Sequence, residues 1–230
     1  MKTESKARIW LRHYKWYLLI ALFFAVVITV MAVQTCTRQD YDMTVMYAGP
    51  AVIPDGKDAE IERIFSQICP DNDGDGTSEV LFYDLLIMSQ EEINSAYDKG
   101  HSSSAMNAGT IQNAKDAFQL NILADEHFVM LLSPERYEVM RSNGALEPLT
   151  ALGLSAVGTD GYAVKFADTD LARMYPAFSV IPEDTVLCFK RISDVNATDK
   201  KTLDRRADAI AYFTALVNHK APEGFVFPGE

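Results

Sequence analysis

An uninterrupted apolar segment, residues 16–33 (WYLLIALFFAVVITVMAV), constrains this 230-residue chain more than any other feature. The segment contains no charged residue, no glycine and no proline. As an α-helix it would extend about 27 Å, which is close to the roughly 30 Å hydrocarbon core of a bilayer. The sequence therefore predicts a transmembrane helix over residues 16–33.

The distribution of charge predicts how this helix is oriented. Residues 1–17 contain five basic side chains and one acidic side chain, whereas the whole chain has a formal net charge of −11. Because Lys and Arg accumulate on the cytoplasmic side of membrane proteins, residues 1–15 are predicted to be a cytoplasmic basic stub. Everything after about residue 34 is then extracytoplasmic. The acidic remainder also argues against a nucleic-acid partner, since phosphate binding requires a basic surface.

Cleavage and lipidation are the two alternatives to an uncleaved anchor. The best small-residue cleavage site, Val33-Gln34-Thr35, matches the pattern poorly. Cys36 is a candidate lipidation site, but Thr35 precedes it where Gly, Ala or Ser is normally required. We therefore expect an uncleaved signal anchor and a single-pass protein that contacts the membrane through residues 16–33.

Beyond a polar linker at residues 34–43, the pattern predicts one α/β domain over residues 44–230. Strand-like and helix-like segments alternate along it, and the apolar positions of the helices recur at i, i+3, i+4 and i+7. This alternation predicts a three-layer fold with a mainly parallel sheet. The predicted strands are 43–47, 80–87, 127–132, 162–166 and 185–190, and the predicted helices are 59–68, 110–123, 134–143 and 201–218. The last helix is expected to bury Leu203, Ala207, Ile210, Phe213 and Val217.

Three cysteines in an oxidising compartment allow one disulfide bond and leave one thiol over. Cys36 lies near the membrane and is the expected odd one. Cys69 and Cys188 are either a bridge or two small buried hydrophobic residues.

Several segments carry a resemblance to a known family. Residues 117–149 end in Ser142-Asn-Gly-Ala-Leu-Glu-Pro-Leu149, a G-x-L-x-P-L pattern. This stretch resembles bacterial extracytoplasmic solute-binding proteins of the type 2 periplasmic-binding fold. Residues 44–49 and 161–165 are similar to two strands of that family, and residues 203–218 to the helix that closes its first lobe. Only about 20 residues follow Phe166 before the next strand, so the resemblance implies a single lobe whose cleft a partner would complete.

The acidic segment 71–79 (DNDGDGTSE) is the sharpest local signal. Carboxylates at positions 1, 3 and 5, a glycine at position 6 and an acid at position 9 are typical of a calcium loop. The predicted Ca²⁺ ligands are Asp71, Asp73, Asp75, Thr77 through its carbonyl, and Glu79. Position 12 is Phe82, where an EF-hand has glutamate, so a short extracellular calcium turn is the closer comparison. A solvated Asp/Gly turn is the alternative.

No G-x-S-x-G, H-E-x-x-H, C-x-x-C or Walker motif occurs, so we predict that the protein is not an enzyme. His101 near Ser102–Ser104 is interpreted as part of a polar loop, and His127 beside Asp125 as part of a helix-to-strand turn. The predicted function is non-catalytic binding or scaffolding outside the membrane, with a membrane protein as the expected partner. The alternative is a small-molecule receptor subunit of a transporter.

Overall fold

The computed structural model describes residues 6–36, 41–98, 107–154 and 160–227, and within the first helix it describes side chains at positions 14, 16, 17 and 19–31. The chain divides into two units, one ending at Asp40 and the other running from Tyr41 to Glu230. The predicted loop at His101 and Ser102–Ser104 lies outside the described residues.

The first unit contains one helix, α1 (Lys6–Cys36), which includes the apolar segment. Over residues 19–31 every side chain of α1 is exposed except that of Val27, which is half-buried. Among the residues with described side chains, no helix combines the length and the apolar character that are needed to cross a membrane. The transmembrane segment therefore stays a prediction.

The second unit is an α/β domain built on one five-stranded sheet. Its strands are β1 (Met43–Gly49), β2 (Val80–Leu86), β3 (Val129–Leu132), β4 (Ala163–Lys165) and β5 (Val186–Phe189). Its helices are α2 (Lys57–Ser66), α3 (Gln90–Asp98), α4 (Ala108–Ala124), α5 (Pro134–Ser142), α6 (Asp170–Met174) and α7 (Lys200–Asn218). Three 3₁₀ turns, Leu149–Leu152, Phe166–Asp168 and Pro176–Val180, complete the described elements.

The sheet is mixed, so the prediction of a mainly parallel sheet is wrong. The strand order is β2-β1-β3-β5-β4. Strand β1 is parallel to β2 and β3, whereas β5 is antiparallel to β3 and β4. The β4–β5 connection consists of short helical turns that pack into the core. Because β4 and β5 are antiparallel, the connection begins and ends at the same end of the strands. A parallel neighbour needs a connection that crosses a face of the sheet, and this segment does not cross one.

Helices cover both faces of the sheet, which gives the predicted three layers. Alternate residues of β1 point to opposite faces: Val45 and Tyr47 pack with α2 and α7, whereas Met46 and Ala48 pack with α4 and α5. Such alternation follows from the two-residue period of a strand.

The predicted helices 59–68, 110–123, 134–143 and 201–218 correspond to α2, α4, α5 and α7. The buried face of α7 differs from the prediction, because Leu203 is 41% exposed and Ala207 is exposed. The face is set instead by Tyr212, which is fully buried and donates a 3.1 Å hydrogen bond from Oη to the carbonyl oxygen of Phe65. The buried residues of α7 are Thr202, Ala209, Tyr212, Phe213, Leu216 and Val217.

Side chains of α2 occupy the free edge of β2. The Ser66 hydroxyl accepts a 3.0 Å hydrogen bond from the backbone N–H of Val80, and the Glu62 carboxylate accepts a 2.9 Å bond from the N–H of Phe82. Edge strands with free N–H groups promote pairing between chains. These two contacts give the N–H groups of Val80 and Phe82 intramolecular acceptors.

Candidate functional site

The acidic loop lies between α2 and β2, beside the start of β1. Parallel pairing sets Met43 opposite Val80, so the residues that precede the two strands, Asp42 and Glu79, are neighbours. The backbone N–H of Asp42 donates to the carbonyl oxygen of Glu79 at 2.9 Å. This register brings Asp42, which is not among the predicted ligands, to the loop.

Two carboxylates organise the loop by accepting backbone hydrogen bonds. Asp42 accepts from the N–H groups of Asn72, Asp73 and Glu79 at 2.7, 3.2 and 2.9 Å. Asp71 accepts from the N–H groups of Gly74 and Gly76 at 2.6 and 2.9 Å. Both glycines have positive φ angles, 78° and 89°, which favour glycine over any residue with a side chain.

One acidic group in the described part of the chain could hold a metal ion. Oxygens of Asp42, Asp71 and Asp73 all lie within 4.8 Å of one another. Asp75 instead accepts hydrogen bonds from the hydroxyl and the backbone N–H of Thr77 at 2.7 and 2.8 Å, and these bonds lower the pKa of Asp75.

Of the five predicted ligands, the structure therefore brings only Asp71 and Asp73 together. Asp75 and Thr77 pair with each other, and the carboxylate of Glu79 is not a member of the group. Three carboxylates supply part of the six to eight oxygens that Ca²⁺ requires. Exposed acidic groups are also common without a metal ion, and hydrogen bonds already account for the conformation of this loop.

A buried ion pair lies at the end of α4, far along the chain from the acidic loop. Asp125 caps the helix in a left-handed conformation, with φ of 52°, and its side chain is fully buried. Its carboxylate pairs with Lys190 and accepts hydrogen bonds from the backbone N–H and the hydroxyl of Ser193, and from the amide of Asn196 at 2.9 Å. Burial raises the pKa of Asp125, but these hydrogen bonds and the charge of Lys190 outweigh it and hold the pKa below its ordinary value.

No local sequence pattern indicates this pair, because its members lie 65 positions apart. The only available signal was a lysine at the end of an otherwise apolar strand, after Cys188 and Phe189. A buried lysine needs a partner, so that lysine could have prompted a search for a buried acid.

His127 fits the interpretation as part of a helix-to-strand turn. Its ring stacks on Tyr83, with the centroids 5.3 Å apart, and its Nδ1 is buried without a hydrogen-bond partner in the described structure. Burial lowers the pKa of His127 to about 4, so the imidazole is neutral at physiological pH. No described metal-binding group includes it.

The two cysteines of the second unit are free thiols, so the disulfide alternative does not hold. Cys69 packs on the α2 and α7 side of the sheet, whereas Cys188 packs on the α4 and α5 side. Burial raises the pKa of the Cys69 thiol to about 12 and raises that of Cys188 further. Both thiols are therefore protonated and unreactive in the folded protein.

Comparisons with protein-family models, with curated proteins and with solved structures gave no match to this chain. The similarity to solute-binding proteins therefore depends on the sequence motifs alone.

Proposed function

We propose that this chain is a signal-anchored membrane protein whose extracytoplasmic α/β domain binds or scaffolds a partner without catalysing a reaction. The observation that carries the proposal is the run of exposed apolar side chains on α1. Leu22, Phe23 and Phe24 are 63%, 64% and 57% exposed, and Ile28 is 64% exposed. A helix with exposed apolar side chains around its whole circumference is unfavourable in water and needs an apolar environment, which the interior of a bilayer provides.

The energetic preference for a lipid environment is large. The transfer of one Leu, Ile or Phe side chain out of water is favourable by about 1.5–3 kcal/mol of free energy, and residues 19–31 contain many such side chains. The basic residues before α1's apolar part support a cytoplasmic N-terminus. The α/β domain then lies on the outer face of the membrane.

The domain's architecture supports the comparison with one lobe of a solute-binding protein. The segments that carry the resemblance, residues 44–49, 117–149, 161–165 and 203–218, contribute strands to one sheet and helices that pack on it. The β4–β5 connection holds only short helical turns within the same unit. Such a lobe would offer a binding surface rather than an enclosed ligand site.

Membrane extraction tests the anchor. We expect the full chain to remain with the membrane after alkaline carbonate treatment, because an inserted helix resists it. Replacing Phe23→Arg together with Phe24→Arg should release the protein, since charges at mid-membrane depth are unfavourable. Val226→Arg is the matched control, because Val226 is 74% exposed in the second unit. Release of the unaltered chain, or retention of the double variant, would contradict an inserted anchor.

We also propose that the acidic loop binds calcium through Asp42, Asp71 and Asp73. A ligand that binds only the native state raises the melting temperature as its concentration increases. The full chain should therefore melt at a higher temperature in millimolar calcium, and Asp73→Asn should abolish that increase. Asp75→Asn is the control, because Asp75 lies outside the three-carboxylate group. An increase that depends on Asp75 rather than Asp73 would refute this ligand set.

A small-molecule receptor subunit of a transporter is the second candidate, and the strand order favours it. The connection that follows β1 leads to β2 on one side, whereas the connection that follows β3 leads towards β4 on the other side, so the two diverge at the neighbouring carboxyl ends of β1 and β3. Ligands of open α/β sheets bind at such switch points. Thr185 lies beside the carboxyl end of β3, because Val186 pairs with Leu132. It is fully buried, and its hydroxyl has no hydrogen-bond partner among the described residues. Thermal unfolding of the full chain in the presence of sugars, amino acids and short peptides tests the receptor function. A melting temperature that none of these compounds raises would count against a receptor.

A further inference from the structure

Two adjoining cavities form a groove on the outer side of α4 and α5. Their volumes are about 420 and 250 Å³, and they share Ile122, Leu123, Asn143 and Ala145. The smaller cavity continues onto residues 190–194, which follow β5. We call this surface the α4–α5 groove.

The groove has an apolar floor that the domain leaves uncovered. Phe118 and Met140 form its base and belong to the core cluster of this face. Leu123 and Val139 line it and are 70% and 41% exposed. Leu120, which is 67% exposed, lies on the same helix. Grouped exposed apolar side chains rimmed by polar residues mark interaction sites.

The charge of the groove is opposite to that of the domain around it. Residues 41–230 contain 15 basic and 30 acidic side chains. The charged residues that line the two cavities are basic except one: Lys115, Arg136, Lys190, Arg191 and Asp194.

Two of these cations are available to a partner. Lys190 pairs with Asp125, and Arg136 with Glu135. Lys115 and Arg191 have no ion-pair partner among the described residues. An occupant with acidic side chains would pair with them.

We propose that the α4–α5 groove binds an amphipathic helix of a partner protein, with apolar side chains on one face and acidic side chains beside them. A groove between two helices accepts the apolar face of a third helix through residues spaced i, i+3, i+4 and i+7. The free Lys115 and Arg191 select an acidic helix over a basic one. This proposal rests on the proposed binding role, for which it names the partner chemistry.

The probe is a fluorescent helical peptide of roughly 18 residues, with leucines at i, i+3, i+4 and i+7 and glutamates elsewhere. Binding to the full chain, held in nanodiscs of zwitterionic lipid, is followed by anisotropy, with empty nanodiscs subtracted. Leu123→Asp should weaken binding about tenfold or more, because it removes an apolar contact. Lys115→Glu with Arg191→Glu should weaken it similarly and reduce its salt dependence.

Matched substitutions outside the groove should leave the affinity unchanged. Val226→Asp replaces an exposed apolar residue, and Lys220→Glu reverses a cation whose side chain is 78% exposed. Because the substituted groove side chains are mostly exposed or half-buried, melting temperatures should stay within a few degrees of the unaltered chain. A melting curve for each variant separates lost binding from lost folding.

Three results would overturn the proposal. The first is equal binding of a peptide with lysines in place of the glutamates. The second is binding that Leu123→Asp leaves intact. The third is a dimer of the full chain that Leu123→Asp dissociates, which would assign the groove to a second copy. If the peptide does not bind but the chain resists carbonate extraction, only the proposed groove function is refuted. If carbonate releases the chain but the peptide still binds, only the proposed membrane anchor is refuted.

Discussion

Removing the charge of Asp125 should destabilise the domain strongly. The side chains of Asp125 and Lys190 are 0% and 2% exposed, so the change leaves Lys190, whose pKa burial already lowers, buried without its counterion. Its other contacts are the carbonyl oxygen of Arg191 at 3.3 Å and the ring of Phe128, whose centroid lies 5.9 Å from Nζ. Breaking a buried pair by removing one partner costs about 3–5 kcal/mol. Asp125→Asn is the appropriate change, because asparagine also tolerates the left-handed backbone at this position.

We expect Asp125→Asn to lower the free energy of unfolding by about 3 kcal/mol. In a domain of this size, each kcal/mol shifts the melting temperature by about 2–4 °C, so the midpoint should fall by about 6–12 °C. The assay is thermal and urea unfolding of the full chain, followed by circular dichroism. The control is Lys57→Met, because the Lys57–Glu60 pair is about 40% exposed and should contribute less than about 1 kcal/mol.

A double-mutant cycle with Lys190→Met separates the pair from its surroundings. The double variant contains neither charge, so it should be more stable than the sum of the two single effects implies, by about 2 kcal/mol. The folded pKa of Asp125 is depressed, so the pair's contribution is present above the unfolded pKa of about 3.9 and is lost below it. Additive single effects, or a loss below about 1 kcal/mol for Asp125→Asn, would show that the buried pair does not stabilise the domain.

Three further changes probe other parts of the domain. Burial lowers the folded pKa of His127 to about 4 from an unfolded value of about 6.5. As the pH falls, the unfolded chain therefore takes up the proton first, and the free energy of unfolding should decrease from about pH 6.5 down to about pH 4. Melting His127→Phe across this range should show a weaker pH dependence, and an unchanged slope would contradict it. Glu62→Ala leaves the backbone N–H of Phe82 without its acceptor and should cost about 1–2 kcal/mol in urea unfolding, whereas Glu62→Gln retains an acceptor and should cost less; equal losses would refute the edge-strand role. Gly49→Ala places a Cβ 2.5 Å from the Oη and 2.8 Å from the Cζ of Tyr47, which is fully buried and whose Oη accepts a hydrogen bond from the N–H of Ala51, so the melting temperature should fall; no change on Gly49→Ala would show that the contact relaxes freely.

Local patterns predicted the elements of the domain because burial on one face imposes a period on the sequence. Ile61, Ile64 and Phe65 are buried in α2 at the predicted spacing, and Pro134 begins α5 as predicted. The buried face of α7 was misplaced because a tyrosine can be buried when its hydroxyl finds an acceptor. That acceptor, the carbonyl oxygen of Phe65, is 147 positions away from Tyr212.

Pairings between distant segments could not be predicted from local pattern. The direction of β5 depends on where the preceding turns pack, and the acidic group depends on the register of β1 against β2. That register adds Asp42 to Asp71 and Asp73, while short-range hydrogen bonds direct Asp75 to Thr77. The sequence therefore predicted the acidic loop but not its set of converging carboxylates.

Labelling of the chain in spheroplasts tests its proposed orientation directly. A cysteine is introduced by Val195→Cys, at a position that is 88% exposed, or by Ser5→Cys in the basic stub, each in a Cys36→Ser chain. The buried Cys69 and Cys188 should not react while the domain is folded. A membrane-impermeant maleimide should label the Val195→Cys chain in intact spheroplasts and the Ser5→Cys chain only after permeabilisation. Labelling of the Ser5→Cys chain alone in intact spheroplasts would place the domain in the cytoplasm and contradict the proposed function.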